Sequence, residues 1–149
     1  MKKDNINLSR QEFKYYVTDD KLTSLRQHLQ ELMLLDENAS KKTKSYTITS
    51  LYFDTPFEED FEEKVDGIKS REKFRIRVYN KNFDLIKFES KKRVETVIKK
   101  TSTLVSREMT QSLCRGDYSK LIENKDRFLN LSYSRLSSEG YRPVVVVEY

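Results

Sequence analysis

The stretch Lys73–Phe74–Arg75–Ile76–Arg77–Val78–Tyr79 decides the fold. Its residues alternate in character with a period of two, which is the period of a β-strand. Lys73, Arg75, Arg77 and Tyr79 fall on one face, and Phe74, Ile76 and Val78 on the other. Three cations on one face repel one another unless water, carboxylates or a bound polyanion compensates them. Phosphate oxygens do so well, because they accept charge-assisted hydrogen bonds from guanidinium and ammonium groups.

The same alternation extends outward on both sides. Leu85–Lys91 follows after the short connection Asn80–Lys81–Asn82, with Lys87, Glu89 and Lys91 on one face and Ile86 and Phe88 on the other. Val94–Val105, rich in Val and Thr, predicts a further strand after a charged turn at Lys92–Glu95. Upstream, Ser45–Phe53 is β-branched and aromatic, and Asp54–Thr55–Pro56 ends it. Arg10–Val17 also alternates, with Arg10, Glu12 and Lys14 opposite Phe13, Tyr15 and Val17. Val144–Tyr149 predicts a last strand.

Helices fill the intervals. Thr18–Asp19–Asp20 is a helix start, followed by Leu22, Leu25, Leu29, Leu32 and Met33 at helical spacing. His28 lies within that helix and is expected at its rim. Phe57–Lys64 predicts a helical turn at the surface, and Val65–Asp66–Gly67 a tight turn. Ser106 is placed to cap a helix that Gly116 ends. Asp117 is placed to cap another containing Tyr118, Leu121, Ile122, Phe128 and Leu129. Leu131–Gly140, rich in serine, is expected to be a connection.

The fold class is therefore α+β, with a mostly antiparallel sheet. Two arrangements suit strands that are charged on one face and apolar on the other. An open sheet turns its charges to water; a closed barrel packs helices outside and keeps a polar lumen.

Composition bounds the function classes. In 149 residues, 36% are apolar and 36% charged, yet 11% are Tyr or Phe, so the chain can build a core that a disordered segment could not. A net charge of +5 favours anionic partners. One cysteine excludes an internal disulfide and suits a reducing compartment. No stretch has the apolar length of a membrane span, and the first residues carry no signal-peptide pattern. A cytoplasmic location is expected. With one histidine, a His-based metal site or a His-centred triad has little to build on. No Gly-rich phosphate loop occurs.

Taken in order, Arg10-x-Glu12-x-Lys14-Tyr15, Ser50–Pro56, Gly67, Arg71-x-Lys73-x-Arg75-Ile76-Arg77-x-Tyr79 and Phe88-Glu89-x-Lys91 resemble the VTC domain. This is the polyphosphate polymerase domain of the vacuolar transporter chaperone family, among the triphosphate tunnel metalloenzymes and related to the CYTH phosphatases. The likeness runs from residue 10 to residue 149 as a single domain. It implies an antiparallel β-barrel of eight strands with helices packed outside. Inside, basic residues grip a nucleoside triphosphate and inorganic polyphosphate. The γ-phosphate of ATP passes to the polyphosphate chain with Mn2+ or Mg2+.

By position, the resemblance makes Lys14 the first-strand tunnel lysine and Arg75 and Arg77 the paired phosphate grips, with Lys73 beside them. Lys91 is the lysine of the E-x-K strand, and Arg75, Arg77 and Lys91 are the catalytic candidates. Lys99 matches the lysine of the next strand, where the family often has K-x-R and this chain has Lys99–Lys100–Thr101. Glu12 and Glu89 match acidic positions, as metal ligands or as partners of the cations. The family pattern continues past Tyr149 with an arginine, a glutamate-bearing strand and further basic residues. The expectation is therefore a barrel lacking its C-terminal part, weak as a polymerase and prone to self-associate through an open sheet edge. A CYTH-like triphosphate hydrolase and a non-catalytic binder of polyphosphate or nucleic acid are the other readings.

Overall fold

The computed structural model describes residues 8–10, 15–68, 70–95, 97–123 and 125–149, with the backbone alone for residues 8–10. The chain forms two compact units, one of Met1–Gln11 with Thr47–Tyr149 and one of Glu12–Tyr46.

In the smaller unit, helix α1 spans Asp19–Leu32. Thr18 is extended at the cap, and Asp19 and Asp20 in the first turn complement the positive end of the helix dipole. Met33 ends the helix in an extended conformation. Exposed His28 places Nδ1 2.8 Å from the Ser24 carbonyl one turn earlier, as expected of a rim residue. Of the strand predicted over Arg10–Val17, Arg10 does lie in a strand, paired with Ile98. Residues 11–14 lie outside the described part, and Tyr15–Val17 is irregular.

The larger unit is built on one antiparallel sheet. Its strands are β1 (Leu8–Arg10), β2 (Ile48–Asp54), β3 (Ser70–Tyr79), β4 (Ile86–Val94), β5 (Val97–Val105) and β6 (Arg142–Glu148). They lie in the order β1-β5-β4-β3-β2-β6. β1 and β6 are the edges and do not pair with each other, so this barrel wall is open among the described residues. β4 runs through Val94 rather than turning at Lys92, because its register with β3 continues to Ser70. The β3–β4 turn places Asn80 and Lys81 at positive φ, the backbone of a tight hairpin that matches strand twist. Pro143 sits in edge strand β6, where a missing N–H is tolerated, next to a register shift opposite Tyr52 and Phe53.

One face of the sheet carries the core. Phe53, Phe74, Ile76, Val78, Ile86, Phe88 and Val105 project toward helices α3 (Arg107–Cys114) and α4 (Arg127–Ser138) and the 3-10 turn Ser119–Leu121. Phe88 is fully buried, stacked on Phe74 at 6.1 Å, with Phe53 and Phe128 also against it. Ser106 caps α3 as predicted, its Oγ accepting from the Met109 N–H at 3.0 Å.

The next helix differs from its prediction. Asp126, not Asp117, caps α4, accepting from the Phe128 N–H at 2.8 Å. Asp117 instead caps the 3-10 turn through the Ser119 N–H. The serine-rich segment expected to be a connection is most of α4. Leu129, Ser132 and Leu136 recur on its buried face at helical spacing, and Ser132 donates its hydroxyl to the Phe128 carbonyl at 2.8 Å. Small serines allow that face to lie close to the sheet, and a back-bonded hydroxyl carries no unmet polar cost.

Candidate functional site

The opposite face is polar, and strand register sets its rows. Arg75 stands between Tyr52 on β2 and Glu89 on β4, and Glu89 faces Ser102 on β5. One row along, Arg77 stands between Ser50 and Lys87. One row the other way, Lys73, Lys91 and Lys100 face each other across three strands.

Glu89 is the centre of this face and is only 1% exposed. Its Oε2 accepts from Arg75 Nε at 2.8 Å and lies 2.7 Å from Arg75 Nη2. Arg77 Nε is 3.8 Å from the same oxygen. The other oxygen meets the Lys100 ammonium at 2.8 Å, as an ion pair rather than an aligned hydrogen bond. Burial raises the Glu89 pKa, but Lys100 and Arg75 more than offset it and hold the carboxyl below its ordinary value. One carboxylate against Arg75, Arg77 and Lys100 leaves these four groups with a net charge of +2.

Tyrosines complete the positioning. Arg75 Nη1 donates to the Tyr52 hydroxyl at 3.3 Å, with its guanidinium 5.9 Å from the ring centroid. Arg77, itself buried, donates to Ser50 Oγ at 3.3 Å and to the Tyr149 hydroxyl at 3.0 Å. The Tyr79 ring lies 6.0 Å from the Arg77 guanidinium and 5.1 Å from the Lys87 ammonium. Burial lowers the Arg75 pKa, but the Glu89 charge and Tyr52 outweigh it and raise the pKa above its ordinary value. Both guanidiniums are thus pre-oriented by fixed partners, as an oxyanion site requires.

The predicted residues divide. Arg75, Arg77 and Glu89 come together, and Lys91 joins the adjacent row. Lys73 lies in that row but donates Nζ to the Asp60 carbonyl on helix α2 (Glu59–Val65) at 2.6 Å. Glu12 and Lys14 lie outside the described residues. Lys99 is a correction. It pairs in register with Lys92, and Lys92 with Glu72, which puts it on the helix-bearing face. Lys100 holds the place expected for Lys99. Two adjacent lysines cannot be told apart by composition, and a shift of one residue exchanges the faces.

Sequence reasoning also passed over the surroundings of Asp60. The segment expected to be a surface turn forms α2, and Asp60 is 3% exposed. Asp54 Oδ1 accepts from the Asp60 N–H at 3.0 Å and the Thr55 N–H at 2.8 Å, fixing the start of the helix. Tyr141 donates to Asp60 Oδ1 at 3.0 Å. Burial drives the Asp60 pKa up to about 7; Tyr141 and Lys73 pull it down and Asp54 adds to the rise. No sequence signal marks Asp60, because an acidic residue in a short polar helix is ordinarily solvated.

A divalent metal finds no ligand set among the described residues, where no three His, Cys, Asp or Glu side chains gather to hold one. Glu89 does not fit the role in this arrangement, because its oxygens face the heads of Lys100 and Arg75.

The family model described as the VTC domain matches residues 9–149. The chain belongs to the VTC domain family. Among solved structures, this VTC domain is similar to the crystal structure of a candidate adenylate cyclase from Bacillus halodurans. Identity is 12%, the TM-score is 0.53, and the match covers 97% of this chain and 63% of that chain. The likeness is one of fold, and the VTC domain spans less than two thirds of that protein's length. No protein of curated function matches the sequence. The antiparallel wall with helices on its apolar face is thus a triphosphate-tunnel fold, open among the described residues. No described helix is long and apolar enough to cross a membrane.

Proposed function

We propose that this VTC domain binds ATP or another nucleoside triphosphate together with inorganic polyphosphate on the basic face of the sheet, and transfers the γ-phosphate to the polyphosphate chain. The observation that carries this reading is the cluster of Arg75, Arg77 and part-exposed Lys100 around the buried Glu89, with its net charge of +2. One buried carboxylate among three cations leaves positive charge for a bound anion to offset.

Arg75 and Arg77 bind phosphate oxygens, with Lys91 and Lys100 alongside them. Lys73, in the same row as Lys91 and Lys100, extends the same grip. Lys99, on the other face, has no part in it. Glu89 is a positioning residue: it fixes the Arg75 guanidinium and partly neutralises the cluster, so the cations coexist before substrate arrives. In the transfer, a terminal oxygen of the chain bonds to the γ-phosphorus. The bond from that phosphorus to the bridging oxygen breaks, and ADP leaves with the electron pair. Such a reaction needs positioned phosphates and compensated negative charge more than covalent help from protein. Tunnel-fold families generally depend on a divalent metal. Here Mn2+ or Mg2+ belongs with the triphosphate as its counter-ion, since Glu89 is taken by cations.

The test is product analysis of the protein incubated with labelled ATP, divalent metal and a polyphosphate primer. Label in lengthening chains on a gel is the expected result. Label released only as orthophosphate would replace the polymerase reading with CYTH-like hydrolysis. Salt-sensitive polyanion binding without turnover would reduce the domain to a binding module.

A further inference from the structure

The polar face does not end at the Lys73–Lys91–Lys100 row. One row further, Arg71 on β3 stands directly opposite Arg93 on β4. Residues 71, 73, 75 and 77 share one parity, and so do their partners 93, 91, 89 and 87, so this pair lies on the face that carries Arg75 and Arg77. Directly opposed side chains on an antiparallel pair have Cβ atoms roughly 5 Å apart, and like charges there are destabilising. Arg75 escapes that cost through Glu89. Arg71 and Arg93 do not: neither is ion-paired to a carboxylate among the described residues. Among the described residues each is tied to a nearby backbone carbonyl, Arg71 Nη1 to Ile68 at 3.0 Å and Arg93 Nε to Glu95 at 2.7 Å. A guanidinium has five N–H donors, so most of each fork remains to be used.

We infer that Arg71 and Arg93 form a second oxyanion clamp, which takes phosphates of a linear polyphosphate beyond those held at Arg75 and Arg77. The clamp lies about 13 Å along the strands from Arg75, four residues at roughly 3.3 Å each. A chain of phosphates laid along β3 and β4 meets the two sites in succession, with the Lys73–Lys91 row between them. The ligand is a phosphate chain rather than a nucleic acid, because the neighbours of the pair on this face, Lys73, Lys91 and Ile98, offer no ring on which a base could stack. This inference rests on the proposed use of the basic face and adds to it a selectivity for chain length.

The experiment compares wild type with the double variant Arg71→Gln/Arg93→Gln, using tripolyphosphate and a long-chain polyphosphate as probes. Circular dichroism confirms that the variant is folded, and the double variant Arg71→Lys/Arg93→Lys controls for charge. The Gln variant is expected to lose about tenfold in affinity for the long chain, with a salt dependence shallower by about one to two contacts. Its affinity for tripolyphosphate stays within about twofold of wild type, and the Lys variant recovers much of the loss. Unchanged long-chain binding in the Gln variant, or an equal loss for both probes, would overturn the inference while leaving the Arg75–Arg77 site standing. Wild-type protein that binds neither probe would overturn the basic-face reading and this inference with it.

Discussion

Lys99 and Lys100 are chain neighbours on opposite faces of one strand. Lys100 reaches Glu89 Oε1 at 2.8 Å, whereas Lys99 sits opposite Lys92 on the face that carries the helices. Substitution of the two residues should therefore separate cleanly. Lys100→Ala removes a cation from the Glu89 cluster and should weaken tripolyphosphate binding about tenfold. Lys99→Ala should leave it within about twofold. Titration calorimetry with both variants checks this, and equal effects would place the register in error.

Glu89→Gln should be costly in the empty protein. It leaves Arg75 and Arg77 buried without their counter-charge, and losing one partner of a buried ion pair costs about 3 kcal/mol or more. The cluster charge rises from +2 to +3. Added tripolyphosphate should thus raise the melting temperature of the variant by more than it raises that of wild type. Thermal unfolding with and without the ligand measures both effects.

The buried Asp60 carboxyl makes stability fall as pH rises. Its pKa is pushed up to about 7 from an ordinary 3.8, first by burial. Between those values the folded chain holds a proton that the unfolded chain releases. The stabilisation is therefore fully present below about pH 4 and is lost progressively as pH rises to 7. The charged and titratable groups facing it are Asp54, Lys73, Arg135 and Tyr141. Asp60→Asn should flatten this dependence and stabilise the protein at pH 8 by on the order of 2 kcal/mol, once water access to the short helix is allowed for. Urea unfolding from pH 4 to pH 8 reads it directly.

The core prediction concerns Phe88, which is fully buried among three other aromatic rings. Phe88→Ala should cost about 4 kcal/mol through lost burial and an unfilled cavity. Phe57→Ala, at a side chain 77% exposed, should change stability by less than about 0.5 kcal/mol. Chemical denaturation of the two variants makes the comparison.

Much of the fold was legible along the chain. The alternation of Lys73–Tyr79 and Leu85–Lys91 is local, and a strand buried on one face writes it into every second residue. Ser106 before an apolar helix is equally local, because a cap bonds within three residues. Asp117 and Asp126 were harder to distinguish. Both are acceptors ahead of apolar residues, and only packing of Leu129 and Leu136 against the sheet selects the second as the start of α4. Arg75, Arg77 and Glu89 were legible because their strands pair in sequence through a short hairpin.

By itself, the sequence determined an α+β chain with antiparallel strands and a face that gathers Arg75, Arg77 and Glu89. It did so because periodicity, turn chemistry and charge act over a few residues. Tertiary structure alone decided that Lys100 rather than Lys99 meets Glu89, that Asp60 is buried against Tyr141, and that Arg71 stands opposite Arg93. These depend on register and on packing between segments distant in the chain. A shift of one residue would reverse the faces without changing composition or local pattern.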